Sequence, residues 1–276
     1  MMHLADLHNI ATSFKSTPKM PALFFGHGSP MNAIEENEFV ANWRKVAATL
    51  PKPNAILCIS AHWITDGTAV TAMSNPRTIH DFGGFPQELF SVQYPAKGNP
   101  DLAKTTASLI TGEEIHLDHQ WGLDHGAWSV LKHLYPEADI PIVQLSLDVR
   151  KSPHQHYKLA KELAILRRKG ILIIGSGNIV HNLRRIDWAN INKIDHAFDW
   201  AREADNKIKK LITSKDHHSL LDYCHLGAAV NLAVPTSDHY LPLLYTLALQ
   251  EDKDELEFFN DKAVGGSLTM TSVKLS

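Results

Sequence analysis

Three histidines of this 276-residue chain stand where apolar runs end: His27 in Phe24-Phe25-Gly26-His27-Gly28, His62 in Ile59-Ser60-Ala61-His62-Trp63 and His181 in Gly177-Asn178-Ile179-Val180-His181. A fourth, His239, opens a predicted helix in Thr236-Ser237-Asp238-His239-Tyr240. Histidine is the commonest protein metal ligand. Imidazoles delivered from the carboxyl ends of several strands converge on one crevice in an open α/β sheet. The chemistry these residues predict is a buried mononuclear metal site. Gly26 and Gly28 permit a tight turn around His27 and a close backbone approach to a bound group. Trp63 stands ready to shield such a site from water. His125, in Gly122-Leu123-Asp124-His125-Gly126, begins another predicted helix, with Asp124 as its cap. The helix dipole there favours a neutral imidazole, suited to exchanging a proton or meeting an anionic substrate.

The elements that must carry these groups alternate between strand and helix. Short apolar or β-branched runs at 22–25, 55–60, 140–147 and 171–175 have the pattern of buried parallel strands, with weaker ones at 69–72 and 115–118. Helical patterns lie between them at 38–50, 102–111, 127–135 and 154–169. Residues 196–213 form the clearest amphipathic helix, with Phe198, Ala201, Ala204, Ile208 and Leu211 on one face. A further helix is expected from His239 to Leu249, since Pro242 is tolerated in a first turn. The tail, 255–274, supplies one or two closing strands. This alternation predicts an α/β layered fold. The stretch 74–100 is rich in proline and glycine and carries His80, Asp81 and Phe82, so it is expected to form a wall of the pocket. Arg77, His80 and Gln93 in that stretch are candidates to contact a substrate carboxylate.

Composition narrows the function. A net charge of -3 offers no electrostatic case for nucleic acid or an anionic membrane. The 17 histidines are a surplus, some of it expected on the surface at His217-His218. Cys58 and Cys224 are the only cysteines, which excludes a disulfide framework and a zinc site built mainly from thiolates. Cys58, inside an apolar run, is expected to be a buried structural thiol. The absence of an apolar core of signal-peptide length in the first twenty residues, or of a membrane-length run later, predicts a cytoplasmic protein. Gly175-Ser176-Gly177 completes no known glycine motif. A dinucleotide fingerprint needs glycine where Val180 stands, and a nucleophile elbow needs glycines where Ile174 and Asn178 stand.

Six segments carry a resemblance to a known family. Gly26-His27-Gly28-Ser29-Pro30-Met31, Ser60-Ala61-His62-Trp63, Ile79-His80-Asp81-Phe82-Gly83-Gly84-Phe85-Pro86, Gly122-Leu123-Asp124-His125-Gly126, Gly177-Asn178-Ile179-Val180-His181-Asn182-Leu183 and His239-Tyr240-Leu241-Pro242-Leu243 closely resemble, in this order, the 4,5-DOPA extradiol dioxygenases of the class III extradiol ring-cleaving superfamily. The resemblance runs from about Met20 to the final strand. It implies an N-terminal tail, 1–20, and one catalytic domain, 21–276, an α/β fold with a mixed, largely parallel central sheet flanked by helices. It also implies one mononuclear divalent metal, Fe(II) for activity with Zn(II) as an alternative bound ion. The implied ligands are His27, His62 and His239. His181 is implied as the acid–base residue beside them or as a further ligand, and His125 as a pocket residue contacting substrate or oxygen. Implied partners are a small catechol and O2, in a monomer or small homo-oligomer. For DOPA the product is the 4,5-seco compound, which cyclises to betalamic acid.

The resemblance departs from the two-histidine, one-carboxylate set usual for non-haem Fe(II) oxygenases, because His239 stands where related branches carry a carboxylate. Neutral ligands leave the full charge of the ion to an anionic catecholate. Two other classes remain open on the residues alone. Ser176, Asp222 and His239 follow the chain order of α/β-hydrolase triads, or a zinc-bound water replaces the triad. The histidine surplus also suits a non-enzymatic metal-binding or metal-sensing protein.

Overall fold

The computed structural model describes residues 17–191 and 193–276, so the first sixteen positions of the expected tail fall outside the described residues. The strands are β1 (Ala22–Gly26), β2 (Ala55–Thr65), β3 (Ala69–Thr71), β4 (His116–Asp118), β5 (Ile142–Asp148), β6 (Ile171–Gly177), β7 (Leu256–Phe259), β8 (Ala263–Val264), β9 (Leu268–Thr269) and β10 (Ser272–Leu275). Eight of them form one sheet in the order β4-β3-β5-β2-β6-β1-β10-β7, and β8 and β9 make a separate hairpin. The central strands β5, β2, β6 and β1 are mutually parallel. Antiparallel pairing enters at β3 with β5 on one side and at β10 with β1 and β7 on the other. The sheet is mixed and largely parallel, as expected.

A parallel strand covered on both faces needs apolar side chains at consecutive positions. Alternate residues then serve opposite cores. Leu23, Phe25, Ile56, Cys58, Leu172 and Ile174 pack with Val40, Trp43, Trp128 and Leu131 from the helices Glu38–Thr49 and His125–Leu134. Phe24, Leu57, Ile59, Ile171 and Ile173 face the other way, toward Leu159, Ala201, Ile208 and Leu244 of the helices Pro153–Glu162, Asp199–Thr213 and Leu241–Ala248. Helix starts are specified locally. Asn37, Asn99, Asp124 and Ser152 each accept a first-turn N–H, and Gln155 reciprocates at Ser152 to complete a capping box.

Several boundaries differ from the sequence pattern. The helix expected over 154–169 ends at Glu162 and continues as the 3-10 segment Ala164–Lys169, closed by Gly170 at φ 71°. The amphipathic helix starts at Asp199, because Phe198 is extended and its N–H pairs with the Gly266 carbonyl. Strand β2 runs past Ser60 to Thr65, with a register shift against β5 between Ile59 and Ile64. Strand β6 lies between β1 and β2. Among the described residues no helix is long and apolar enough to cross a membrane.

Far from the strand ends that carry the histidines, Arg167 is fully buried and is a residue that periodicity does not reveal. Its guanidinium donates to the carbonyls of Met20, Leu249 and Leu275 and to both oxygens of Asp254. It thereby joins the entry to β1, the end of the helix Leu241–Ala248 and the last strand. Burial alone would raise the Asp254 carboxyl, but the Arg167 bonds outweigh it and hold the group at about 2. An ordinary Asp titrates near ~3.9. The ion pair therefore stabilises the fold fully above about pH 4 and is lost as pH falls toward about 2. Replacing Arg167 by alanine leaves the buried Asp254 carboxylate to Lys19 and the Glu251 N–H alone and is expected to cost up to about 3–5 kcal/mol in urea unfolding at pH 7. A loss below about 1 kcal/mol would show that this pair does not hold the fold.

Candidate metal centre

Strand register builds the crevice. Gly26 lies level with Gly177, and Ser60 with Ser176, so β1 and β6 end side by side next to Ser60 of β2. The His27 N–H continues the ladder onto the Gly177 carbonyl at 2.9 Å. His62 lies within β2, inside the stretch where pairing with β5 slips, and such irregularities re-aim a side chain. His239 is hung on the end of β6, its carbonyl accepting the Asn178 N–H at 2.9 Å. That approach needs Gly177, since a Cβ there would stand 2.2 Å from the His239 oxygen. Gly126 is required for the same reason. A Cβ there would meet Ser60 Oγ at 2.5 Å and His62 Cδ2 at 2.8 Å, blocking the seat of the helix His125–Leu134 on β2.

These elements bring five imidazoles together. The metal-binding atoms of His27, His62 and His239 lie within 4.8 Å of one another. His27 Nε2 is 3.2 Å from His62 Nε2. The His181 ring stacks on His239 at 3.5 Å between centroids, and His125 lies 3.9 Å from His62. Residues around them decide which nitrogen faces inward. Ser176 Oγ has one proton, which it donates to the Gly126 carbonyl, so at 3.0 Å it accepts from His27 Nδ1–H. The Nε2 of His27 then carries a lone pair. His239 Nδ1 bonds to the Asp238 carboxylate, leaving its Nε2 free. Asp81 accepts both the N–H and the Nδ1–H of His125, at 2.8 and 2.9 Å, and lies 3.6 Å from His62 Nδ1.

The electrostatics favour neutral rings. Burial, reinforced by the neighbouring imidazoles, holds His27 and His62 well below the usual histidine range. Burial and then His239 lower His181 to about 3, against a smaller opposing effect of Asp238. Burial opposes ionisation of Asp238, but its bond to His239 prevails and keeps the carboxyl well below the usual range. His27 Nε2, its lone pair inward, lies 3.2 Å from His62 Nε2, which donates to it in one His62 tautomer and shares a cation with it in the other. Two nitrogens each about 2.0–2.1 Å from a shared ion would stand roughly that far apart. The donor set fits one borderline divalent metal, with neutral nitrogens inside and carboxylates behind the rings.

Each histidine expected at the site is in this cluster. Asp124 does cap its helix, but it is also wholly buried and bound to Ser60, Gln144 and, at 3.4 Å, the Trp121 indole. Trp63 is buried and stacks flat on Trp121 at 5.8 Å, closing one flank. The wall expected from 74–100 is present, with Phe82 edge-on to His125 at 5.4 Å and packed against Phe85, Phe90 and Trp128. His80 is committed to the Val92 carbonyl, and Arg77 Nε to that of Trp121. Gln93 is exposed.

Three supporting residues were not assigned this role from sequence. Asp81 was read as pocket wall and Ser176 as a possible nucleophile, and Asp238 was given no role. The signal for Asp238 is its adjacency to a ligand candidate; for Ser176 there was only its position between two glycines. The hydrolase triad is not assembled. Ser176 is bonded to His27 and Gly126, and Asp222 sits with His154 and His218.

Comparison with known proteins agrees with this geometry. Residues 18–271 match the family described as the catalytic LigB subunit of aromatic ring-opening dioxygenase. The chain is 44% identical to a protein of Escherichia coli (strain K12) named 4,5-DOPA dioxygenase extradiol, over 94% of this chain and 96% of that one. A protein of the same name from Beta vulgaris is 35% identical over 92% and 95% of the two chains. A crystal structure of an uncharacterized protein from Escherichia coli K12 superposes with a TM-score of 0.81 at 40% identity, covering 94% of this chain and all of that one. With a matching family model along nearly its whole length and relatives of that name, the chain belongs to the LigB family and is an extradiol ring-cleaving dioxygenase.

Proposed function

We propose that the enzyme opens the ring of a small catechol bearing an amino-acid tail, such as DOPA, using O2 and one Fe(II) held by His27, His62 and His239. The product would be 4,5-seco-DOPA, which cyclises to betalamic acid. The observation that carries this reading is the convergence of those three imidazoles within 4.8 Å, beside two more that are free for substrate. The names of the Escherichia coli and Beta vulgaris relatives support DOPA as the substrate. Bound there, the metal supplies Lewis acidity toward the diol and a meeting point for O2.

The rest is done by side chains of this chain. His181, stacked on the metal-side His239, is placed to take a catechol hydroxyl proton and return it as the ring opens. Asp81 fixes the tautomer of His125, whose other nitrogen is left to the substrate. The apolar faces of Phe82 and Phe85 suit the aromatic ring. The enzyme would act in the cytoplasm as a monomer or small homo-oligomer. Zinc normally outcompetes Fe(II) at nitrogen sites, so purified protein would need reloading with iron.

The decisive assay is oxygen uptake with a catechol panel, comparing protein loaded anaerobically with Fe(II) and protein loaded with Zn(II). Iron-dependent consumption with a yellow ring-opened product is expected; no uptake with any catechol would sink the proposal. His27→Ala should abolish metal binding at this centre, whereas His181→Ala should keep the metal and lose turnover by about 10²–10⁴-fold. The opposite ordering would refute these roles. Ser176→Ala should retain the fold but weaken metal binding by about 10–100-fold, measured by equilibrium dialysis. Unchanged affinity would show that Ser176 does not orient His27.

A further inference from the structure

A second group of metal-type donors meets on the surface, outside the ring-opening centre. His154 belongs to the first turn of the helix Pro153–Glu162. His218 lies in the helix His217–Leu221, and Asp222 is that helix's C-cap. Residues four apart at a helix turn share one face, and here that face is turned toward His154. His154 Nε2 is 3.7 Å from Asp222 Oδ1, and His218 Nδ1 is 3.6 Å from Asp222 Oδ2. The donor atoms of all three residues lie within 4.8 Å of one another. The two rings meet edge to face at 5.8 Å.

We infer that His154, His218 and Asp222 form a second, peripheral site for a divalent transition metal of borderline softness, such as Zn(II). Two imidazoles and a carboxylate are the donors such an ion takes, with water completing the shell. Ligands about 2.0–2.1 Å from a tetrahedral ion stand roughly 3.4 Å apart. The two His–Asp222 separations exceed that by a few tenths of an ångström, and the donors of His154 and His218 lie within 4.8 Å of each other. Both imidazoles are accessible, with His218 82% and His154 45% exposed, so the small adjustment and the entry of an ion meet no packed neighbour. The ring-opening reaction uses none of these residues, and the hydrolase triad that would have used Asp222 is not assembled.

Occupancy would brace the outer wall of the main centre. The helix His217–Leu221 presents the Leu220 carbonyl to Tyr240 Oη at 3.2 Å, and Tyr223 packs on the Tyr240 ring at 5.1 Å. Tyr240 follows His239 directly. An ion joining His154 to the end of this helix would fix the support from which His239 projects. The inference does not rest on the proposed substrate or on iron.

Zn(II) titration of the full-length, metal-stripped protein, with bound zinc counted after equilibrium dialysis, tests it. Wild type should bind two ions per chain, and His218→Ala and Asp222→Asn one each. His27→Ala should keep one ion, and His27→Ala combined with His218→Ala none. A second reading comes from heat. Zinc should raise the unfolding midpoint of His27→Ala but not that of His27→Ala combined with Asp222→Asn. One ion in wild type that is unaffected by His218→Ala, or no ion in His27→Ala, would overturn the proposal and leave these groups as surface ion pairs.

Discussion

An imidazole has two nitrogens, and it can offer a lone pair to a shared centre only when its proton is committed to the other one. That condition governs this molecule. Ser176 takes the Nδ1 proton of His27, and Asp238 that of His239. Asp81 does the same for His125 and lies close to His62. Each partner turns an Nε2 inward, and burial keeps His27 and His62 neutral. Rings held in that orientation by the fold lose little freedom when they meet a cation, so the scaffold carries an affinity that the separate histidines would lack.

Holding the rings this closely requires three chain segments to meet at the end of one strand. Strand β6 lies between β1 and β2 and ends in Gly175-Ser176-Gly177. Its glycines admit the backbone at Pro242 and His239, which would lie 2.4 and 2.2 Å from added Cβ atoms. The same three residues fit neither a nucleotide loop nor a nucleophile elbow. Their smallness serves packing, and the serine serves hydrogen bonding. Strands buried on both faces give the crevice a rigid floor, while Arg167 and Asp254 tie the opposite end of the layers.

Charge is arranged in shells. Burial keeps His27, His62 and His181 neutral, while Asp81 and Asp238 supply negative charge from behind the rings of His125 and His239. This arrangement preserves the attraction of a dipositive ion for an anionic diol while raising the basicity of the ligands. Asp124 adds a third carboxyl, itself fully buried, through Ser60 and Gln144. Burial and then the nearby Asp81 push its own titration upward, against the bonds it accepts.

Much of this was legible in the sequence. Apolar runs at β1, β2, β5 and β6 marked the central strands, because strands covered on both sides need continuous hydrophobic residues. The imidazoles were legible too, since His27, His125, His181 and His239 stand at or near element ends and His62 follows the apolar run of β2. Sheet order was not legible: periodicity describes one strand's faces and carries no information about which strand lies beside it. Nor were the partners that orient the rings, because Ser176 and His27 are 149 positions apart. Local sequence determined the donors and the elements that carry them. Which nitrogen faces inward, and that β6 stands between the two histidine-bearing strands, was decided only by long-range packing, since hydrogen bonds and close contacts depend on distance in space, not along the chain.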